Sequence, residues 1–160
     1  MSVGAKLNIA FYSIIVLLCI SVGITFLNLS NIEKKTDEAL DNRVEQIRVI
    51  DQIRFDLAMQ GLYARGLIME TTDENHNNLM SYAESLDENI AKLKELYSSD
   101  IMDDYWNEMN SYNNEFNTIV EEVLVAVDKG NLADATMLAN TTLEDANNGI
   151  LNVSTKMVEY

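Results

Sequence analysis

The sequence contains no proline, only six glycines and a single cysteine in 160 residues. Without proline, long helices can run uninterrupted, and a β fold built on tight turns is disfavoured. Cys19 is the only cysteine and His76 the only histidine. No intrachain disulfide, zinc cluster or histidine-dependent triad can be assembled from them. Basic residues are scarce as well, 11 against 26 acidic ones, for a formal charge of −15. That balance excludes a simple nucleic-acid or anionic-lipid binding surface, because both partners are polyanions. Apolar residues still make up 48%, too many for a disordered chain. The sequence offers no nucleophile–base pair, phosphate loop or metal-ligand cluster. It therefore reads as a non-enzyme with no catalytic residue, no metal and no cofactor.

What is present is unevenly placed. No charged residue lies between Lys6 and Glu33. Residues 9–29, IAFYSIIVLLCISVGITFLNL, would span roughly 32 Å as a helix, close to the thickness of bilayer hydrocarbon. This stretch exceeds the ~7–15 residues of a signal-peptide core, and no A-x-A-like cleavage site follows it. The expectation is an uncleaved anchor in the cell membrane rather than a cleaved signal. Lys6 would hold residues 1–8 in the cytoplasm and send the rest outward, while Lys34 and Lys35 at the far end oppose that orientation. Residues 30–160 then form an extracytoplasmic domain with ten of the basic and all 26 of the acidic residues.

That domain keeps heptad time. Leu79, Ala83, Leu86, Ile90, Leu93 and Tyr97 make one seam. Met102, Tyr105, Met109, Tyr112, Phe116, Ile119, Val123 and Ala126 make a second, and Leu132, Thr136, Ala139, Leu143, Ala146, Ile150, Val153 and Met157 a third. Alternating steps of three and four predict amphipathic helices with coiled-coil-like packing. Their ends carry stop and start signals. Thr71 and Glu74 have capping-box spacing, Ser98-Ser99-Asp100 offers an N-cap, and Gly130 follows the second seam. Connections this short make neighbouring helices antiparallel. The predicted fold is an all-α, antiparallel up-down four-helix bundle with helices over about 30–69, 73–98, 100–128 and 131–160. The first is expected to continue from the anchor.

The first helix has two apolar faces. Ile50, Ile53, Leu57, Ala64 and Leu67 mark one stripe, while Val49, Phe55, Met59, Leu62 and Tyr63 project elsewhere. One face suits the bundle core and the other a second copy, giving a homodimer through the first helix. A thick core in a monomer is the alternative. A further seam runs through Leu40, Val44, Ile47, Asp51, Arg54, Ala58, Gly61, Arg65 and Ile68, which places charges where core is expected. Buried charge needs a partner. Arg54 and Arg65 could form interhelical ion pairs with Asp134 or Glu144. Alternatively, with Thr136 and Asn140 from the last helix, they could bind a small carboxylate. Trp106 lies beside its seam and is expected in core packing, and His76 on a surface turn.

The stretches 42–70, NRVEQIRVIDQIRFDLAMQGLYARGLIME, and 127–140, VDKGNLADATMLAN, stand on an anchor followed by a four-helix domain. This arrangement resembles the sensory half of bacterial methyl-accepting chemotaxis receptors over all 160 residues. The resemblance implies a homodimeric transmembrane receptor, embedded in a lipid bilayer, that senses a small molecule such as an amino acid or organic acid, or a ligand-binding protein. It also implies a second membrane span beyond Tyr160, relaying occupancy through helices one and four. The same domain type serves sensor histidine kinases and cyclases, and an anchored structural or adaptor bundle without ligand is a further alternative.

Overall fold

A computed structural model describes residues 3–97 and 99–160. The first two residues of the expected cytoplasmic segment and Ser98 of the expected N-cap lie outside the described residues. All regular structure in the described residues is helical: α1 (Val3–Met69), α2 (Asp73–Glu95), α3 (Asp100–Asp128), α4 (Leu132–Asn140) and α5 (Thr142–Glu159). The chain divides into two compact units, residues 1–43 and 44–160.

The N-terminal unit is helical from Val3 onward. Apolar side chains such as Phe11, Leu17 and Phe26 stand exposed on it, at 63%, 66% and 69%. The Thr25 hydroxyl donates to the Ser21 carbonyl at 2.9 Å, so this polar group is satisfied within the helix. An apolar helix that meets its own hydrogen-bonding needs is what hydrocarbon accommodates. By length and composition it is the candidate membrane span of the described residues.

In the second unit, polar contacts fix the directions of the helices. Gln46 Nε2 donates to the Leu96 carbonyl at 2.8 Å and Gln60 Nε2 to the Tyr82 carbonyl at 3.0 Å. Numbers rise along α1 as they fall along α2, so the two are antiparallel. Trp106 Nε1 reaches the Ile90 carbonyl at 2.9 Å, and Asn113 Nδ2 reaches Asp87 Oδ1 at 2.5 Å, making α2 and α3 antiparallel too. Lys156 meets Glu108 at 3.3 Å, while Gly149 lies against Tyr112, which sets α5 antiparallel to α3. The all-helical architecture predicted from the heptads is the one observed.

Its core follows the seams on α2 and α3. Leu79, Leu86, Ile90 and Leu93 are buried, as are Met102, Met109, Phe116, Ile119 and Val123. Burying each large apolar side chain contributes about 1.5–3 kcal/mol, so this apolar interior supplies most of what holds the helices together. Short connections are capped. The helix α2 starts at Thr72, whose side chain accepts from Asn75 N–H, one residue later than the capping-box spacing implies. Thr71 instead donates back to the Leu67 carbonyl at 3.2 Å. Ser99 caps α3. Gly130, at φ 71°, closes α3: its N–H bonds the Val127 carbonyl and that of Asn131 the Ala126 carbonyl. This is the left-handed turn at which glycine is favoured.

Two features depart from expectation. The last helix is two helices, meeting at Thr141 (φ −121°, ψ −74°). Three successive residues of modest helix propensity, Asn140, Thr141 and Thr142, stand there, and the Thr141 hydroxyl bonds back to the Met137 carbonyl at 2.7 Å. The predicted seam is buried from Ala139 through Met157 and departs from expectation only in the first turns of α4. Ala135 and Ala139 are buried on α4, whereas Leu132 and Thr136, expected in the seam, are exposed. On α1 the core is lined by Ile50, Ile53, Leu57, Ala64 and Leu67, while Asp51, Ala58 and Arg65, each one residue further on, are exposed. One residue rotates a side chain by about 100°, enough to move the charges into solvent.

Candidate ligand-binding site

The charged seam of α1 is a surface feature. Arg54 is half-buried. Its Nη1 contacts Asp51 Oδ1 at 3.3 Å within the same helix, and its Nη2 donates to Thr155 Oγ1 on α5, also at 3.3 Å. Arg65 is exposed, and its Nη1 donates to the Gly61 carbonyl at 3.4 Å. Among the described residues no ion pair joins either arginine to Asp134 or Glu144. The Asp134 carboxylate is occupied with the Asn131 side chain at the start of α4. The interhelical pairing considered for these arginines is thus replaced by a local pair and a contact to α5.

Thr136 is exposed on α4, with its hydroxyl donating to the Leu132 carbonyl at 2.6 Å. Asn140 is the exposed last residue of α4. Within the described residues, no hydrogen bond joins any two of Arg54, Arg65, Thr136 and Asn140. Two open grooves on the bundle, one between α2 and α3 and one between α3 and α4, are lined by none of the four.

Beside the arginines, α1 presents an apolar face to solvent. Val44, Phe55, Leu62 and Met69 are 65%, 49%, 57% and 88% exposed. Their spacings of eleven, seven and seven are about three, two and two turns, so they share one side of the helix. Phe55 packs edge-on to Tyr82, which stacks on Tyr63, so the aromatic residues extend this surface toward α2.

On its other side α1 is fastened to α2 by polar groups. Asp56 is fully buried. Its carboxylate accepts from Gln52 Nε2 at 2.9 Å, Ser85 Oγ at 2.8 Å and Asn89 Nδ2 at 3.0 Å. Three donors offset much of the cost of burying this group. Gln60, also fully buried, holds the Tyr82 carbonyl. Sequence reasoning did not single out these residues. The available signal was a polar residue at 46, 56 and 60 within an otherwise apolar stripe. Further along, Glu45 accepts from Arg48 at 2.7 Å and from Lys92 at 2.6 Å. These hydrogen bonds, with Arg48 the larger influence, hold the Glu45 carboxyl at about 2. Trp106 packs against the core, under the Lys94 ammonium 3.9 Å from its ring, and His76 is exposed.

A family model described as a four-helix-bundle sensory module for signal transduction covers residues 1–160. No curated protein and no solved structure matches the chain.

Proposed function

The chain belongs to the four-helix-bundle sensory modules for signal transduction, the ligand-sensing input modules of methyl-accepting chemotaxis receptors, and we propose that it works as a homodimer joined along α1. The observation that supports this is the exposed apolar face of Val44, Phe55, Leu62 and Met69. Large apolar side chains left exposed along one side of a helix suit an interaction site. A two-fold dimer covers such a face with its own copy.

The signalling mechanism follows from the connectivity. Helix α1 contains both the candidate span and the dimer face. A ligand that prefers one arrangement of the two subunits shifts that population, and slides of about 1–2 Å are sufficient to pass the change along a helix. α5 is the second helix assigned to this relay. The domain faces the outside of the cell membrane and Lys6 the inside. Its role is sensing rather than catalysis.

The ligand of this reading is a small carboxylate, an amino acid or organic acid, presented free or by a binding protein. Arg54, Arg65, Thr136 and Asn140 are its proposed contacts. Arg65 favours the assignment, because its exposed guanidinium has no carboxylate partner among the described residues. Guanidinium groups match carboxylates in shape and charge.

Sedimentation of the full chain in detergent micelles tests the dimer. The wild type is expected to run as a dimer, and Leu62→Lys as a monomer with unchanged helical content. A monomeric wild type, or a dimer that survives both Leu62→Lys and Val44→Lys, overturns the proposal.

A further inference from the structure

The helix α4 is a nine-residue segment between two joints. Gly130, at φ 71°, stands just before its start, and Thr141 stands where α4 stops and α5 begins. No side chain caps the start of α5 at that joint, although Leu143 in its first turn is only 3% exposed. A groove of about 580 Å³ lies between α4 and α3, with Val125, Ala126 and Leu138 in its lining. It leaves α4 room to move. α5 has less freedom, because Gly149 lies against the Tyr112 ring and Lys156 meets Glu108, both on α3.

The sequence across the Thr141 joint suits an unbroken helix. Leu132, Thr136, Ala139, Leu143, Ala146 and Ile150 keep steps of four and three straight through it. Leu132 stands eleven residues, about three turns, before Leu143, so on a continuous helix the two lie on one line. Leu143 and Ile150 are buried on that line, yet Leu132 is 45% exposed and the smaller Ala135 takes the buried place. The joint residues act the other way. Asn140, Thr141 and Thr142 have modest helix propensity, and the Thr141 hydroxyl donates to the Met137 carbonyl at 2.7 Å. Burial of Leu132 and an unbroken hydrogen-bond ladder favour one form, and the joint favours the other.

We propose that the last helix is a two-state element. It exchanges between the broken form of this structure and a continuous helix over residues 132–159, in which Leu132 joins the buried line of Leu143 and Ile150. In the exchange α4 swings between its two joints while α5 stays on α3. Thr136 and Asn140 ride on α4, whereas Arg54 is tied to Thr155 on α5. A carboxylate held between these two sets therefore favours one form over the other, which is how occupancy would reach α5. The exchange stands without the ligand reading, and only its use in signalling rests on that reading.

The test is a distance measurement by pulsed electron spin resonance, on the full chain in lipid nanodiscs. Spin labels are placed at Ala133→Cys and Asn152→Cys, both exposed, in a chain carrying Cys19→Ala and diluted into unlabelled chain. A continuous helix sets these two backbone positions about 28 Å apart, and a break brings them closer. Thr141→Ala with Thr142→Ala is expected to raise the ratio of long to short distance roughly fivefold. Adding Leu132→Ser, at an exposed position, is expected to bring the ratio back down. A ratio unmoved by the alanine pair, or one that Leu132→Ser leaves high, overturns the switch. The standard amino acids and sodium succinate, added as probes, separate the two readings. A ratio that answers the variants but no probe keeps the switch and removes its use in ligand signalling. A thermal shift from a probe, with a ratio unmoved by the variants, removes the switch alone.

Discussion

Ser85 on α2 donates its hydroxyl to the Asp56 carboxylate on α1 at 2.8 Å, inside the bundle. Asp56 has no solvent exposure, so this contact and those from Gln52 and Asn89 replace its hydration. Asp56→Ala strands three donors and is expected to cost about 2–4 kcal/mol. Ser85→Ala is expected to cost about 1–3 kcal/mol. Urea unfolding checks both, and a midpoint unchanged by Asp56→Ala would contradict the role given to this cluster.

Gly149 marks a close approach between α5 and α3. A Cβ added there would lie 2.5 Å from Cδ1 of Tyr112 and 2.7 Å from Cγ, inside van der Waals contact. Alanine improves helix propensity by about 1 kcal/mol, but overpacking costs about 1–3 kcal/mol. The clash reaches Cγ, at the base of the ring, so rotation about the outer bond does not relieve it. Gly149→Ala is expected to lower the thermal midpoint, and Tyr112→Leu in the same chain to recover part of the loss. A raised midpoint in the single variant would mean the helices can separate freely.

Glu45 connects pH to the α1–α2 interface. Its folded value of about 2 lies below the ordinary 4.5, chiefly through the Arg48 hydrogen bond and then that of Lys92. A depressed carboxyl stabilises the fold above pH 4.5, and the contribution fades as pH falls toward 2. NMR titration of the Glu45 side chain should give a midpoint near 2, moving up toward 4.5 in Arg48→Ala and by less in Lys92→Ala. A midpoint already at 4.5 in the wild type would remove the paired geometry. Because the pair is exposed, added salt should weaken it.

Much of the bundle was legible in the heptads of α2 and α3. Leu86, Ile90, Met109 and Phe116 occupy the positions their spacing predicts. The first helix was harder for a physical reason. Two stripes on it keep heptad spacing, one residue apart, and the true core stripe is interrupted by polar Gln46, Asp56 and Gln60. Hydrophobic periodicity cannot reveal that Ser85 and Asn89 wait opposite Asp56, because pairing across helices is a property of register. The same holds for Asn113 and Asp87. The seam failed only at Leu132 and Thr136, where Ala135 takes the buried position, while from Ala139 onward the predicted positions are buried; the break at Thr141 was missed because a Thr-Thr pair is a weak signal for one.

For the proposed carboxylate site, Arg65→Ala is expected to abolish the thermal shift given by a screen of amino and organic acids, with unliganded stability altered by less than about 0.5 kcal/mol. Arg65 is exposed and bonds only the Gly61 carbonyl among the described residues, so its loss should leave folding intact. An undiminished ligand shift would remove Arg65 from the site.

The central claim is that two copies meet along the exposed face of α1. Disulfide trapping tests it most directly, with single cysteines placed at Leu62, Val44 or exposed Asn114 of α3 in a chain carrying Cys19→Ala. The account predicts rapid crosslinking to dimers at Leu62 and Val44 under mild oxidation, and little at Asn114. Equal crosslinking at all three positions, or crosslinking only at Asn114, would contradict it.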